Sequence, residues 1–583
     1  MSFRRVGGLA AMLLAILICV SCGDVYRPVV IPISNTPPDP SGFHAVFGLS
    51  RNAAFNPGTA FQIDVSGDTM VGQANMGVNP THAAALPSNS RVFVASAGSL
   101  FSGDSDAVIS FVPQSLSSIA VGLGNPITIS LPSGSLPVFI ATTQASMVFV
   151  ANYGTNSVSG ITTSTNSVTL NGAAGVHPIA MAETPDAQHL YVLNQGDNTV
   201  TDLAPVDLST HATIPAGVTP TWAVTRPDSR RLYVVTQGDG RLYTFDTATN
   251  AQVTGSPQLV GGAGANFITY DSSRSRLYVT NPATSSVYVF DATSDPPTPL
   301  GSATGAVSIP VPSPCATAGV TCSPVAPTSV AALPDGSRFY VASSVVASPC
   351  PDVNVGNISP AGTCLIPQLT VFNASSLTIK PVPVTLSLLA PSLSLLAAPR
   401  FGASQYAVPQ VSSCAPAALY SPSSTRFRMS AAAGADSSHV YASICDAGVV
   451  ADVSTKSSSI ATGGTNTPDQ LATDIRAPFA GCGGSSCPNV ADINAFSITS
   501  NVVTFTAPNN FSPGQQVQIA GLSSTAGTAL NGQTLTVLAT GLSGSAFECV
   551  LSGTVQDVGQ TSDTGTAVPV PTPQRPIYLL SGT

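Results

Sequence analysis

Residues 277–292 read Leu277-Tyr278-Val279-Thr280-Asn281-Pro282-Ala283-Thr284-Ser285-Ser286-Val287-Tyr288-Val289-Phe290-Asp291-Ala292. Two apolar, β-branched runs flank a segment of turn composition, Asn281-Pro282-Ala283-Thr284-Ser285, which reads as strand, turn, strand. An aromatic among aliphatics recurs along the chain: Val46-Phe47, Val92-Phe93-Val94, Val148-Phe149-Val150, Leu190-Tyr191-Val192, Leu232-Tyr233-Val234, Leu277-Tyr278-Val279, Phe339-Tyr340-Val341 and Val440-Tyr441. The clean spacings are 46 (Phe47 to Phe93), 42 (Phe149 to Tyr191), 42 (Tyr191 to Tyr233) and 45 (Tyr233 to Tyr278). A period of about 40–50 residues with only strand signals is that of a four-stranded propeller blade. Spacings of 56, 62 and 101 elsewhere predict loop insertions.

A proline precedes most anchors: Pro80, Pro137, Pro178, Pro220 and Pro327 lie 12 or 13 residues before their aromatic. Each opens a strand-length run of small or apolar residues, as the innermost strand of a blade requires. Several runs end in a Pro-Asp turn, at Asp186, Asp228 and Asp335, where a carboxylate closing its own backbone turn is reason enough for the acid. The expected fold is all-β: a propeller of seven or eight four-stranded blades over residues 42–480, with a small all-β module at 490–570 and a C-terminal strand at 571–583. The first unit lacks a proline-led inner strand. The ring then needs a closing strand, for which 468–478 fits better than 566–570.

The pattern resembles the YVTN family of β-propeller repeats of bacterial and archaeal surface-layer and secreted proteins. Tyr278-Val279-Thr280-Asn281 matches the family's name, and Phe149-Val150-Ala151-Asn152-Tyr153-Gly154-Thr155-Asn156 is close to it. The resemblance spans residues 42–480 and is strongest over 136–295. It implies a propeller, usually seven-bladed, against eight anchors counted here. It brings no shared catalytic residue.

Residues 1–22 read as an export signal. Arg4 and Arg5 precede an apolar core of 15 residues, 6–20, too short for a membrane-spanning helix. Ser21-Cys22 then resembles a bacterial lipobox, which predicts lipidation of Cys22. The alternatives are simple secretion and an uncleaved anchor. Residues 23–41 carry five prolines and read as an extended tether.

Charged residues make up only 8%, the net charge is −9, and no basic cluster occurs, which argues against a nucleic-acid partner. Nine cysteines follow Cys22. Cys315–Cys322, Cys350–Cys364 and Cys482–Cys487 bracket short loops, and Cys414–Cys445 makes a fourth expected disulfide, leaving Cys549 odd. The expected locale is the cell envelope, lipid-anchored and facing periplasm or exterior.

No nucleophile elbow, phosphate loop, dinucleotide fingerprint or haem motif is present. None of the six histidines stands at motif spacing from an acid. Neither a metal nor a cofactor is expected. The ligand candidates lie on one face. Two residues after each opening proline come His82, Phe139 and Trp222, with Phe267 at the matching position. The loops between second and third strands add Tyr153, Asn194, Gln237 and Asn281. Aromatics and amides at a channel mouth suit a glycan, a peptide or an envelope protein. The competing reading is a plugged channel with self-satisfied turns. The expected function is a non-enzymatic scaffold or binding module. A lactonase-like hydrolase and a quinoprotein-like oxidoreductase subunit are the alternatives, by fold analogy.

Overall fold

Each anchor aromatic is buried on the second strand of its own sheet. Tyr191, Tyr233, Tyr278, Tyr340, Tyr441, Phe93 and Phe149 are 0% exposed and Phe47 is 2% exposed. A second strand is covered on both faces by neighbouring blades, so it reads as a continuous apolar run such as Leu190–Asn194, buried at every position. The outermost strand faces solvent and is polar, as in Thr210–Pro215. The structure, a computed structural model of the chain, describes residues 45–51, 57–64, 69–98, 106–113, 124–316, 318–350, 363–378, 408–409, 414, 427–446, 449–455, 470–476, 491–509, 511, 516–538, 540–551, 556–569 and 576–581. Residues 1–41, on which the expected export signal, Cys22 and the expected tether fall, lie outside the described residues, as do Cys482 and Cys487.

The described residues form nine antiparallel sheets, eight of them blades of a propeller. Blade 2 runs Pro80–Ala85, Val92–Ser96, Ala107–Val112, Gly124–Ser130 from inside out. Blade 3 is Pro137–Ala141, Met147–Asn152, Ser157–Thr162, Ser167–Ala173. Blade 4 is Pro178–Glu183, Leu190–Asn194, Thr199–Leu203, Thr210–Pro215. Blade 5 is Pro220–Thr225, Arg231–Thr236, Arg241–Asp246, Gln258–Leu259. Blades 6, 7 and 8 begin at Phe267–Asp271, Ala326–Ala332 and Met429–Ala433. Blade 1 pairs Thr69–Val78, Pro57–Asp64 and Ala45–Ser50 with Pro576–Ser581 innermost. The all-β propeller expected from the spacing is borne out, with eight blades.

The closing strand is a correction. Residues 468–478 were favoured, yet Gln470–Arg476 pairs with Val449–Ser454 as the outer strand of blade 8. Residues 566–569 belong to the long strand Val558–Pro569 of the C-terminal module. Pro576–Ser581 pairs with Ala45–Ser50 and stands between the inner strands of blades 8 and 2. Its register slips by one between Leu49 and Ser50, the same bulge that follows Pro80, Pro137, Pro178, Pro220 and Pro327. Pro576 is therefore the missing opening proline, and the first and last described strands share one sheet.

Neighbouring blades are latched where the inner strands start. Thr81 Oγ1 donates to the Pro137 carbonyl at 3.1 Å, Asn266 Nδ2 to that of Pro327 at 3.3 Å, and Thr328 Oγ1 to that of Met429 at 2.8 Å. Disulfides join Cys315–Cys322, Cys350–Cys364 and Cys414–Cys445. The six-stranded module runs from Ala491–Thr499 to Val558–Pro569, and its end strands meet at Val537 and Cys549. Within it, residues 498–505 hold a tight turn at Ser500 (φ 51°) and Asn501 (φ 63°). Cys549 is free and buried in this core, and burial pushes its thiol pKa up to about 12. No helix among the described residues is long and apolar enough to cross a membrane.

Candidate functional site

The bulge after each opening proline turns the next side chain but one toward the axis. These positions, and the matching ones in blades 6 and 8, where neither proline nor bulge precedes, hold Tyr578, His82, Phe139, Ala180, Trp222, Phe267, Ser329 and Ser430 around the eight blades. Five are rings, and the rings touch. Phe139 stacks on His82 at 3.8 Å between centroids, and Tyr578 lies 4.6 Å from His82. Trp222 stands 5.3 Å from Phe139 and 6.0 Å from His82, and Phe267 is 5.0 Å from Trp222. His82 belongs to blade 2 and Trp222 to blade 5, so their contact crosses the ring and the aromatics fill the axis. Trp222 is 9% exposed, Phe139 6% and His82 5%, while Phe267 and Tyr578 are half-buried. Tyr578 was not among the candidates, although Pro576-Ile577-Tyr578 repeats the spacing of Pro220-Thr221-Trp222.

His82 and the two serines also accept hydrogen bonds from the next blade. Ile140 N donates to His82 Nδ1 at 3.4 Å, Ala431 N to Ser329 Oγ at 2.9 Å, and Leu579 N to Ser430 Oγ at 3.3 Å.

The amide candidates divide into two kinds. Asn194 and Asn281 are 0% exposed. Asn194 Nδ2 donates to Thr199 and Thr201 hydroxyls at 3.0 and 2.9 Å. Asn281 Nδ2 donates to the Val260 and Gly262 carbonyls at 2.7 and 2.9 Å, and its Oδ1 caps Ala283 N. Both clamp their own loops, as the competing reading held, and neither presents its amide to solvent. Tyr153 and Gln237 are half-buried. Tyr153 stacks on His177 at 4.4 Å, nearly parallel, and burial raises its phenol pKa. Gln237 lines a cavity of about 330 Å³ with Thr219, Gly238, Ala263 and Gly264, and its Oε1 has no hydrogen-bond partner.

The turn that holds each amide needs a left-handed residue. Asn156, Asn198, Gly240 and Ser285 occupy it, at φ 55°, 61°, 59° and 50°. Asn156 and Asn198 use their side chains to accept from His177 N and Thr219 N of the following linker, at 2.9 and 2.7 Å. At Gly240 the Gly262 carbonyl passes where a Cβ would stand, so only glycine fits. Beside it, Tyr243 OH donates to Asp239 at 3.0 Å. Burial first, then Asp239, pushes the Tyr243 pKa up to about 12.

The Pro-Asp acids lie on the opposite face and close their own turns. Asp186, Asp228 and Asp335 each accept from the backbone N–H two residues on, at 3.2, 3.0 and 2.8 Å. On that face the fold brings two histidines to one acid, although none stands at motif spacing from an acid in the sequence. His189 Nδ1 lies 2.8 Å and His211 Nδ1 3.4 Å from Asp202 Oδ2. Linear spacing hid this cluster. Cross-strand register makes it, because Tyr191, Asp202 and Ala212 lie opposite one another and His211 sits in a bulge beside Ala212.

No family model matches the chain, and no curated protein matches it. Among solved structures, hydrazine synthase of Kuenenia stuttgartiensis is 18% identical, over 55% of this chain and 76% of that one, with a TM-score of 0.37. A putative 6-phosphogluconolactonase from Bacteroides uniformis is 14% identical over 58% of this chain and 94% of that one, at 0.41. Virginiamycin B lyase from Staphylococcus aureus is 10% identical over 53% and 85%, at 0.36. Likenesses at this level carry no argument about activity.

Proposed function

We propose that this chain is a non-enzymatic binding or scaffold propeller of the bacterial cell envelope, anchored by lipid on Cys22. Its ligand is a polar polymer, a glycan or a peptide, taken at the mouth where Gln237 and Thr219 border the cavity and Tyr153 lies on the same face. The observation that carries this reading is the aromatic filling of the axis. A propeller hydrolase would gather several carboxylates and histidines there, whereas the eight axial positions hold no carboxylate and a single histidine, His82, beside four other rings, two serines and an alanine. Three disulfides favour an oxidising compartment, and the YVTN-like repeats and the lipobox-like segment point to the same place.

The test sets capture against turnover. Purified protein is assayed for retention on immobilised envelope glycans and peptides, and in parallel against a panel of lactones. Retention that falls in Gln237→Ala or Tyr153→Ala protein, without turnover, is expected. Saturable lactone hydrolysis would replace this reading with the lactonase alternative.

A further inference from the structure

We propose that blade 4 carries a binding site for one divalent transition-metal ion, built from His189, Asp202 and His211 on the face opposite the aromatic mouth. The inference goes beyond the binding reading above and is independent of it. These are a group of three ligating side chains whose donor atoms all lie within 4.8 Å of one another.

The repeats show that blade 4 departs from the blades beside it at each of the three positions; blade 8 shares the first two, with His439 two before Tyr441 and Asp452 across from that anchor, but has Ala472 at the third. The residue two before the anchor is an arginine in four blades: Arg91, Arg231, Arg276 and Arg338. In blade 4 it is His189. The residue across from the anchor on the third strand is Ser110 in blade 2 and Thr244 in blade 5. In blade 4 it is Asp202. The bulged residue of the fourth strand is Thr169 in blade 3 and His211 in blade 4. In blade 2 the corresponding pair is a simple hydrogen bond, Arg91 Nη1 to Ser110 Oγ at 2.9 Å. Blade 4 keeps that framework and fills it with two imidazoles and a carboxylate.

The geometry fits an ion. Bonds of about 2.0–2.2 Å to a zinc-like ion place adjacent ligand atoms about 3.0–3.5 Å apart. Of the two histidine-to-carboxylate distances, 3.4 Å lies within this range and 2.8 Å falls just short of it, so little motion is needed. The charge also calls for one. Asp202 is 0% exposed, and its ion pairs among the described residues are to these histidines alone. Its Oδ1 is buried without a hydrogen-bond partner. A buried carboxylate lacking a fixed positive partner is costly, and a divalent cation supplies that charge.

A supporting shell is in place. Asn250, from the next blade, donates through Nδ2 to Asp202 Oδ2 at 2.8 Å. Tyr191 OH donates to Asn250 Oδ1 at 3.0 Å and orients it. Solvent reaches the site from the histidine side, since the His211 side chain is 41% exposed and that of His189 21%. Ligation uses both rings as Nε2–H tautomers, with each Nδ1 lone pair toward the ion. Two imidazoles with one carboxylate select zinc, cobalt, nickel or copper over calcium or magnesium.

The test is calorimetric titration of Zn²⁺ into the full chain, purified without a polyhistidine tag. One ion per chain is expected. His211→Ala and His189→Ala should each abolish that site, and His177→Ala, on the other face, should leave it unchanged. Asn250→Gly, which keeps the left-handed backbone, should weaken binding about 10–100-fold. Circular dichroism and melting without metal confirm that each variant is folded. Exposed His211 makes its alanine variant the safest of these. Failure of the wild-type chain to take up Zn²⁺, Co²⁺ or Ni²⁺ saturably overturns the proposal, as does undiminished uptake by folded His211→Ala protein.

Discussion

Removing residues 576–583 takes away the strand that closes the ring against Ala45–Ser50, and its cost can be worked from what that strand buries. Ile577 is 1% exposed and Leu579 4%; burying two such side chains contributes about 3–6 kcal/mol. The ladder to Ala45–Ser50 covers five paired positions; at about 1 kcal/mol per net hydrogen bond it adds about 3–5 kcal/mol. The sum, about 6–11 kcal/mol, is of the order of the whole stability of a domain. It also leaves the Ala45–Ser50 backbone as an open edge. The truncated chain should therefore melt far below the full chain, bind a hydrophobic dye and aggregate. Differential scanning fluorimetry and light scattering check this, with Leu579→Ala as a milder variant costing about 2–5 kcal/mol. A truncated protein that melts within a few degrees of the full chain and stays monomeric would refute the closure.

Cys22→Ser should move the protein from membrane to soluble fractions, or leave it unprocessed, with its melting profile unchanged; cell fractionation reads this. Reducing the Cys414–Cys445 bridge, or Cys414→Ser with Cys445→Ser, should cost about 3–4 kcal/mol from the loop it closes, seen as a lower denaturant midpoint. Hydrogen bonding from Ser524 and Ser523 holds the Asp563 carboxyl well below the usual range, and Asp563 accepts from Ser524 N, Ser523 N and the Ser523 hydroxyl. A lowered folded pKa means stability present above about pH 4 and lost as pH falls further. Acid melts of the wild type should show that loss, and Asp563→Asn should flatten it.

The ring was legible because each blade hides an aromatic at the same depth on its second strand, so burial imposes one spacing on the sequence. Its closure was not. Gln470–Arg476 follows Pro468-Asp469 and resembles an inner strand, but it pairs as an outer one. Pro576-Ile577-Tyr578 carries the true signal, displaced by the intervening module. At the mouth, Trp222, Phe139 and His82 were legible from the offset of two after proline. Asn194 and Asn281 were misplaced because a turn composition does not say whether an amide points outward or clamps its own loop. His189, Asp202 and His211 were invisible for a different reason: register across three strands and one bulge bring them together, and linear spacing encodes none of that.

The binding reading is tested most directly through Trp222, the only tryptophan in the chain and a member of the axial ring cluster. The measurement is its fluorescence during titration with envelope glycan and peptide fragments, with product release followed in the same samples. The account predicts a saturable shift in emission for a bound fragment, lost in Gln237→Ala protein, with no product formed. Emission that stays fixed while a fragment binds, or saturable release of a hydrolysed product, would contradict it.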